Sequence, residues 1–286
     1  MIKGEKSMSQ DTMALIKTLK NDSSWEARRD AAKSLSNIKE SKVVDALIYA
    51  AENDKESIVR AAAVSELGEI GDERAFPHLA SIINGNDQYV AHSCAYALTA
   101  FGAKGIDVLT NALQSNNSHI RKSVIEALGY TKNPVVLTIL LRVVKDPVGW
   151  VAVEAIEVLG ELGDPSTASA LIELMQSETR PELLEMFKKT MDKWGVDIPD
   201  SIASVERRSK EVFLSNLKAL RVGMSEDEVF ALVGGGDFAM GTRIVYKHPY
   251  GEFQLIIANG RLVEFPEGFG PASLIKELEA DLSSKD

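Results

Sequence analysis

Apolar residues recur along this chain on two nested periods. Within segments they return every three to four residues, as on one face of an α-helix. Between segments the whole pattern returns after about 31 residues. With Leu35, Leu67, Leu98, Leu128 and Leu159 as anchors, the spacings are 32, 31, 30 and 31. Four residues before each anchor stand Ala31, Ala63, Cys94, Val124 and Ala155; eight before stand Ala27, Val59, Val90, Ile120 and Val151. About twelve residues after each anchor comes a second leucine: Leu47, Leu79, Leu109, Leu140 and Leu171. The pattern predicts five units of two amphipathic helices each. Met13 to Lys20 predicts a half-unit at the start, because Leu15 lies 32 before Leu47. Pro181 to Trp194 predicts a closing helix, with Met186, Phe187, Met191 and Trp194 on or near one face. A stack needs such ends, since each unit hides its apolar side only against its neighbours.

The residues between the apolar runs agree with this division. Gly71-Asp72 and Gly163-Asp164 follow the first helix of their units. A glycine there closes a helix in the left-handed conformation, and the aspartate caps the next helix. Asp54, Asp87 and Asp146 are expected to open the following units by capping in the same way. The clearest copies are VRAAAVSELGEIGD (59–72) and VAVEAIEVLGELGD (151–164). These residues resemble the HEAT family, and within it the short repeat of phycobilisome lyases. The resemblance covers about two thirds of the chain and implies an α-solenoid over residues 8–197.

Beyond that the period is lost. Gly195 to Ser204 is rich in Gly, Pro and Ser and predicts a linker. Residues 205–286 predict a small α+β domain. A helix is expected over Glu206–Leu220. A second opens on the capping box Ser225–Glu228, runs through Val229, Phe230 and Leu232, and stops at the glycines before Asp237. Strand-like runs follow at 243–247, 253–258 and 261–265, the last two joined by the hairpin signal Asn259-Gly260. Pro271 to Leu282 predicts a final helix. The string LRVGMSEDEVFALVG, with the later NGRL, resembles the SmpA/OmlA lipoprotein domain, which implies its fold and an adaptor character. The family's Gly-x-Pro after the helix is replaced here by GGGD, and its lipid-bearing cysteine is missing.

Composition narrows the chemistry. The formal charge of −10 opposes general binding to nucleic acid. The most apolar stretch, Val135 to Val144, is far short of the roughly 20 residues of a membrane span, and MIKGEKSMSQ has no apolar block of a secretory signal; a cytoplasmic protein is expected. The single cysteine, Cys94, sits at a small apolar position and predicts a buried side chain. His78, His92, His119 and His248 stand in no metal-ligand spacing, so neither metal nor cofactor is expected. GGGD (234–237) lacks the lysine of a phosphate loop and reads as a helix stop. No catalytic constellation is legible, and a non-enzyme is expected.

Two columns of residues could bind a partner. The resemblance places the second helix of each unit on the concave side. Outward positions there include Asp45, Tyr49, Asp107, Asn111, Arg142, Lys145 and Glu173. A duplex binder neutralises about 6–10 phosphates, and these positions hold too few cations. The other column, nine before each anchor, is aromatic-rich: Glu26, Ile58, Tyr89, His119 and Trp150, with Trp25 and Tyr96 near it. Arg28, Arg60 and Arg121, seven before their anchors, fit either an anion site or a ladder between units. The expected function is a non-catalytic scaffold for a protein or peptide. The alternatives are a bilin lyase-like, tetrapyrrole-handling protein, implied by the repeat type, and a regulatory module whose C-terminal domain is the effector.

Overall fold

The computed structural model describes residues 9–36, 38–199, 202–233, 238–240, 243–248, 250–266 and 270–283. The chain falls into two compact units, residues 1–136 and 137–286. The first unit contains α1 (Gln10–Asn21), α2 (Trp25–Ser34), α3 (Ser41–Asn53), α4 (Ser57–Ile70), α5 (Phe76–Ile82), α6 (Gln88–Thr99), α7 (Gly102–Ala112) and α8 (Ser118–Tyr130). α9 (Val135–Val143) follows. The second unit continues with α10 (Gly149–Leu162), α11 (Ala168–Ser177) and α12 (Pro181–Trp194). After these come α13 (Ile202–Ala219) and α14 (Glu226–Val233), the strands β1 (Phe238–Met240), β2 (Arg243–His248), β3 (Gly251–Ala258) and β4 (Arg261–Glu264), and α15 (Pro271–Ser283).

The repeat anchors are the core. All five anchor leucines, and all five leucines twelve residues on, are fully buried. The residues four before the anchors are buried too, and of those eight before only Ala27, in the first unit of the pattern, is half-exposed. Each buried leucine contributes roughly 1.5–3 kcal/mol by leaving water.

The tight pairs differ in part from those the periodicity suggests. α1 packs on α2, α3 on α4 and α5 on α6, so those "second" helices pair with the first helix of the following unit, whereas α7 packs on both α6 and α8. Residues 54–56, 83–87 and 113–117, like 100–101 between α6 and α7, are short loops that fold adjacent helices back on each other. The expected half-unit, α1, is thus one arm of a complete hairpin. The expected closing helix, α12, likewise packs on α10 and α11, with Leu183, Leu184, Phe187 and Met191 buried and Met186 left at the margin.

The internally repeated string Leu-Gly-x-x-Gly (67–71 and 159–163) has two different glycines in it. Gly71 and Gly163 end α4 and α10 in the left-handed region, at φ 63° and 67°. Gly68 instead permits close approach: a Cβ there would stand 2.7 Å from the Ala97 Cα on α6. The capping expectation needs one correction. Asp87 caps α6 by accepting from the amides of Tyr89 and Val90. Asp54 and Asp146 stand two residues before the cap positions and accept from the Glu56 and Val148 amides, forming the turn that leads into the helix.

α13 starts at Ile202, inside the stretch expected to be linker, and packs on both α11 and α12. Ser209, fully buried, donates to the Thr179 carbonyl at 2.6 Å. The other side of α13 supplies Phe213 and Leu217, and the residue after it Leu220, to a core shared with α14, α15 and the sheet. That sheet is an antiparallel meander of four strands in the order β1-β2-β3-β4. The sequence pattern reveals three of them. β1 escapes it because three residues are too few to show alternation. Asn259 and Gly260 both have positive φ, 52° and 69°, as a two-residue hairpin requires. The capping box forms as expected: the Ser225 amide donates to Glu228 at 2.7 Å and the Glu228 amide to the Ser225 hydroxyl at 3.2 Å. The outer edge of β4 is covered by residues 223–226, through Gly223 N–Leu262 O at 2.7 Å and Leu262 N–Met224 O at 2.8 Å. The GGGD segment (234–237) lies outside the described residues.

Candidate functional site

The arginine column is an internal ladder. Arg28 donates from Nε and Nη2 to both carboxylate oxygens of Asp54, at 2.7 and 2.9 Å, and from Nη1 to the carbonyls of Asp22 and Ser23. Both side chains are about nine-tenths buried or more, at 6 and 7 % exposure. Arg60 repeats the arrangement one unit on, with Asp87 at 2.5 Å and the Asp54 carbonyl at 2.6 Å. Arg121 donates to the Ser115 carbonyl at 2.9 Å. The guanidinium groups thus tie a helix to the loops on either side of it, and the anion-site reading fails for Arg28 and Arg60. In the second unit Arg180 plays a similar part, donating to the Asp146 carbonyl at 2.7 Å and pairing with Glu178 at 2.8 Å. It lies off the anchor register, so periodicity does not reveal it.

The outward faces are where a partner could sit. Of the second-helix positions, Asp45, Tyr49, Asp107 and Asn111 are exposed in the first unit, and Arg142, Lys145 and Glu173 in the second. Their charges are partly engaged already. Asp45 lies 3.2 Å from Arg74, Lys20 stands over the Tyr49 ring at 5.9 Å, and the nearby His78 and Glu52 are 2.6 Å apart. A shallow hollow of about 230 Å³ is lined by Met13, Ile16, Lys20, Lys42 and Asp45. Within the first unit the helices that touch most closely from one repeat to the next are α2, α4, α6 and α8, brought together by alanine and glycine. Within that unit the first-helix row is the more closely packed one.

The edge column is less uniform. Ile58 is half-buried; Tyr89, His119 and Trp150 are exposed. Trp25 is half-buried, with the Arg29 guanidinium over its ring at 5.1 Å. Tyr96 belongs to a different group. It packs at a tilt against His92, with 5.1 Å between ring centroids, and meets Tyr130 edge-on at 6.1 Å. Tyr130 is 72 % exposed. Tyr96 and Tyr130 are 34 residues apart, and no linear spacing signals their meeting.

Reactive groups are muted. Burial pushes the Cys94 thiol up, and its Sγ contacts the Leu79 carbonyl at 3.1 Å. Such a thiol is a packing element. Among the described residues no group of three or more His, Cys, Asp or Glu is placed to hold a metal ion. No described helix is long and apolar enough to cross a membrane.

Comparison with known proteins gives the following. No curated protein matches the sequence. The complex of CpcE and CpcF of phycocyanin lyase from Nostoc sp. PCC7120 aligns at 20 % identity over 81 % of this chain and 95 % of that one, with a TM-score of 0.43. The Escherichia coli protein YibA aligns at 21 % identity over 71 % and 82 %, with a TM-score of 0.42. A designed armadillo repeat protein in complex with a (KR)4 peptide aligns at 14 % identity over 65 % and 100 %, with a TM-score of 0.41. The family model for HEAT repeats matches residues 12–99, 77–153 and 106–186. Those matches span the helices whose anchors form the buried rows described above, and the chain belongs to the HEAT-repeat family.

Proposed function

We propose that this protein is a non-catalytic scaffold that binds a protein or peptide on the outward faces of its repeats. The observation that carries the reading is the distribution of large side chains. The stacking leucines are completely withdrawn from water, whereas Tyr49, Tyr89, Tyr96, Tyr130 and Trp150 remain 55, 55, 36, 72 and 37 % exposed on an otherwise polar exterior. Aromatic side chains of this kind are the usual anchors of protein interfaces, because they bury much area at little entropic cost. HEAT-repeat membership supports the same reading, since stacked helical pairs present extended surfaces. Asp45, Asp107, Asn111, Arg142, Lys145 and Glu173 are proposed as polar contacts around the aromatic ones. For residues 205–286 we propose a distinct module of SmpA/OmlA-like fold. Two helices before an antiparallel meander, and the Gly223-Met224 turn running along β4, support this.

The test is site-specific photocrosslinking in the source cell. A benzophenone side chain replacing Tyr49, Tyr89 or Trp150 is expected to trap discrete protein partners, and one replacing Glu279 on α15 is not. Absence of any adduct at all three positions, together with turnover of a small molecule by the purified chain, would refute the scaffold reading.

A further inference from the structure

The hollow between α1 and α3 in the first unit joins an apolar floor to cations that no carboxylate neutralises. It measures about 230 Å³ and is lined by Met13, Ile16, Lys20, Lys42 and Asp45. On α1, Met13, Ile16, Lys17 and Lys20 fall on one face, being three, four and seven residues from the first of them. On α3, Lys42, Asp45 and Tyr49 do the same. Met13 is 46 % exposed and Tyr49 borders the hollow through Lys20, which stands over its ring.

The charges around this hollow are unbalanced. Asp45 is the acidic residue of its lining, and it is turned to Arg74 at 3.2 Å. Arg74 in turn pairs with Asp72 at 2.9 Å. Among the described residues, Lys17, Lys20 and Lys42 form no ion pair, and all three are exposed. A positive rim thus stands on a chain whose formal charge is −10. A carboxylate reaching it pairs with ammonium groups that water alone now solvates. A cation there meets only repulsion. A wholly apolar segment would cover the lysines without pairing them, and a wholly acidic one would leave Met13 and Ile16 in water. The dimensions narrow the occupant further. Small-molecule sites usually enclose about 300–1,000 Å³, so this hollow suits one large side chain better than a whole cofactor. Three lysines also fall short of the roughly 6–10 phosphates that a duplex binder neutralises.

We propose that this hollow, with Lys17, Lys20 and Lys42 around Met13 and Ile16, docks a segment of a partner protein in which a large apolar side chain is flanked by carboxylates. The assignment rests on the scaffold reading and gives it a location and a chemistry.

The experiment uses the full chain and three labelled peptides of equal length. In the first, a leucine is flanked by glutamates within a glycine-serine frame. In the second, lysines replace the glutamates; in the third, serine replaces the leucine. Fluorescence anisotropy is expected to show binding of the first, weakening as salt is raised, weaker binding of the third and none of the second. Affinity for the first should fall about tenfold in Lys20→Gln/Lys42→Gln and by a smaller factor in Met13→Ser. All three positions are exposed, so both variants should keep the parent's circular dichroism spectrum. Lys33→Gln/Lys189→Gln removes the same charge outside the lining and should bind as the parent does. No binding of the first peptide, equal binding of the second or third, or equal loss in the two lysine pairs overturns the proposal. Recruitment to phosphatidylserine vesicles in place of peptide binding overturns it as well. Crosslinked partners at Tyr89 or Trp150 combined with any of those results leave the scaffold reading standing and remove this hollow from it.

Discussion

Arg28 and Asp54 are 26 residues apart and share two hydrogen bonds out of contact with water. Their pairing shows how one residue reports on the assembly of the repeats. Burial by itself raises the Asp54 carboxyl. The bonds from Arg28 and from the Glu56 amide, with the Arg28 charge, outweigh that and hold it below its ordinary value of 3.8. The folded protein therefore takes up fewer protons than the unfolded chain just below that value. The stability the pair supplies is whole above pH 3.8 and is lost as pH falls through the folded-state value. Removing one partner strands a buried charge, so Asp54→Ala is expected to cost about 3 kcal/mol at neutral pH. Urea titrations at several pH values check this: the gap between variant and parent should close on acidification. A gap that stays constant would mean that the pair is not the source. Glu66 has the opposite sign, since a raised folded value makes its contribution fade as pH rises.

At the scale of elements, the distinguishing feature is how closely the first helices approach. α4 and α6 meet at Gly68 and Ala97, where an added methyl group collides with backbone and not with a movable side-chain tip. Gly68→Ala is therefore expected to destabilise the first unit by about 1–3 kcal/mol, as overpacking does, even though alanine is the better helix former. Ser65→Ala, exposed on the same helix, should change stability by less than about 0.5 kcal/mol. Comparing the two in chemical denaturation separates packing from propensity. Gly160 stands at the same register in α10, and there its neighbour is the Thr190 side chain, whose hydroxyl lies 3.2 Å from where a Cβ would be. The same letter in the repeat thus meets backbone in one unit and a rotatable group in the other.

For the molecule as a whole, α13 is the decisive helix. In the second unit it presents Ile202, Val205 and Ser209 as buried residues and packs on the last helices of the repeats. Its later residues complete the α+β core. Lys188 of α12 pairs with Glu206 of α13, and Lys210 of α13 with Asp281 of α15. We expect a fragment of residues 197–286 to melt cooperatively, because Phe213, Leu217, Val229, Tyr246, Phe253 and Leu274 share one core within it. Its midpoint should lie below that of the same core in the full chain, since Ile202 and Val205 lose their cover. Circular dichroism of the fragment decides this, and a featureless thermal scan would show that the module depends on α11 and α12 to fold.

The linear order of residues determined which positions are buried and where helices begin and end. The anchors from Leu35 to Leu159, the glycines at 71 and 163, the capping box at Ser225 and the turn at Asn259 all depend on contacts within a few residues. Helix and hairpin geometry make such contacts periodic. Tertiary structure alone decided which helices pair, that Arg180 joins the ladder while Asp54 and Asp146 precede the caps, and that β1 extends the sheet. It also decided that His92, Tyr96 and Tyr130 form one run of rings. The Arg180 ladder and the ring run link residues roughly one repeat apart, and such relations follow from loop length and from how near two helices can come, which no pattern of hydrophobic and polar letters encodes.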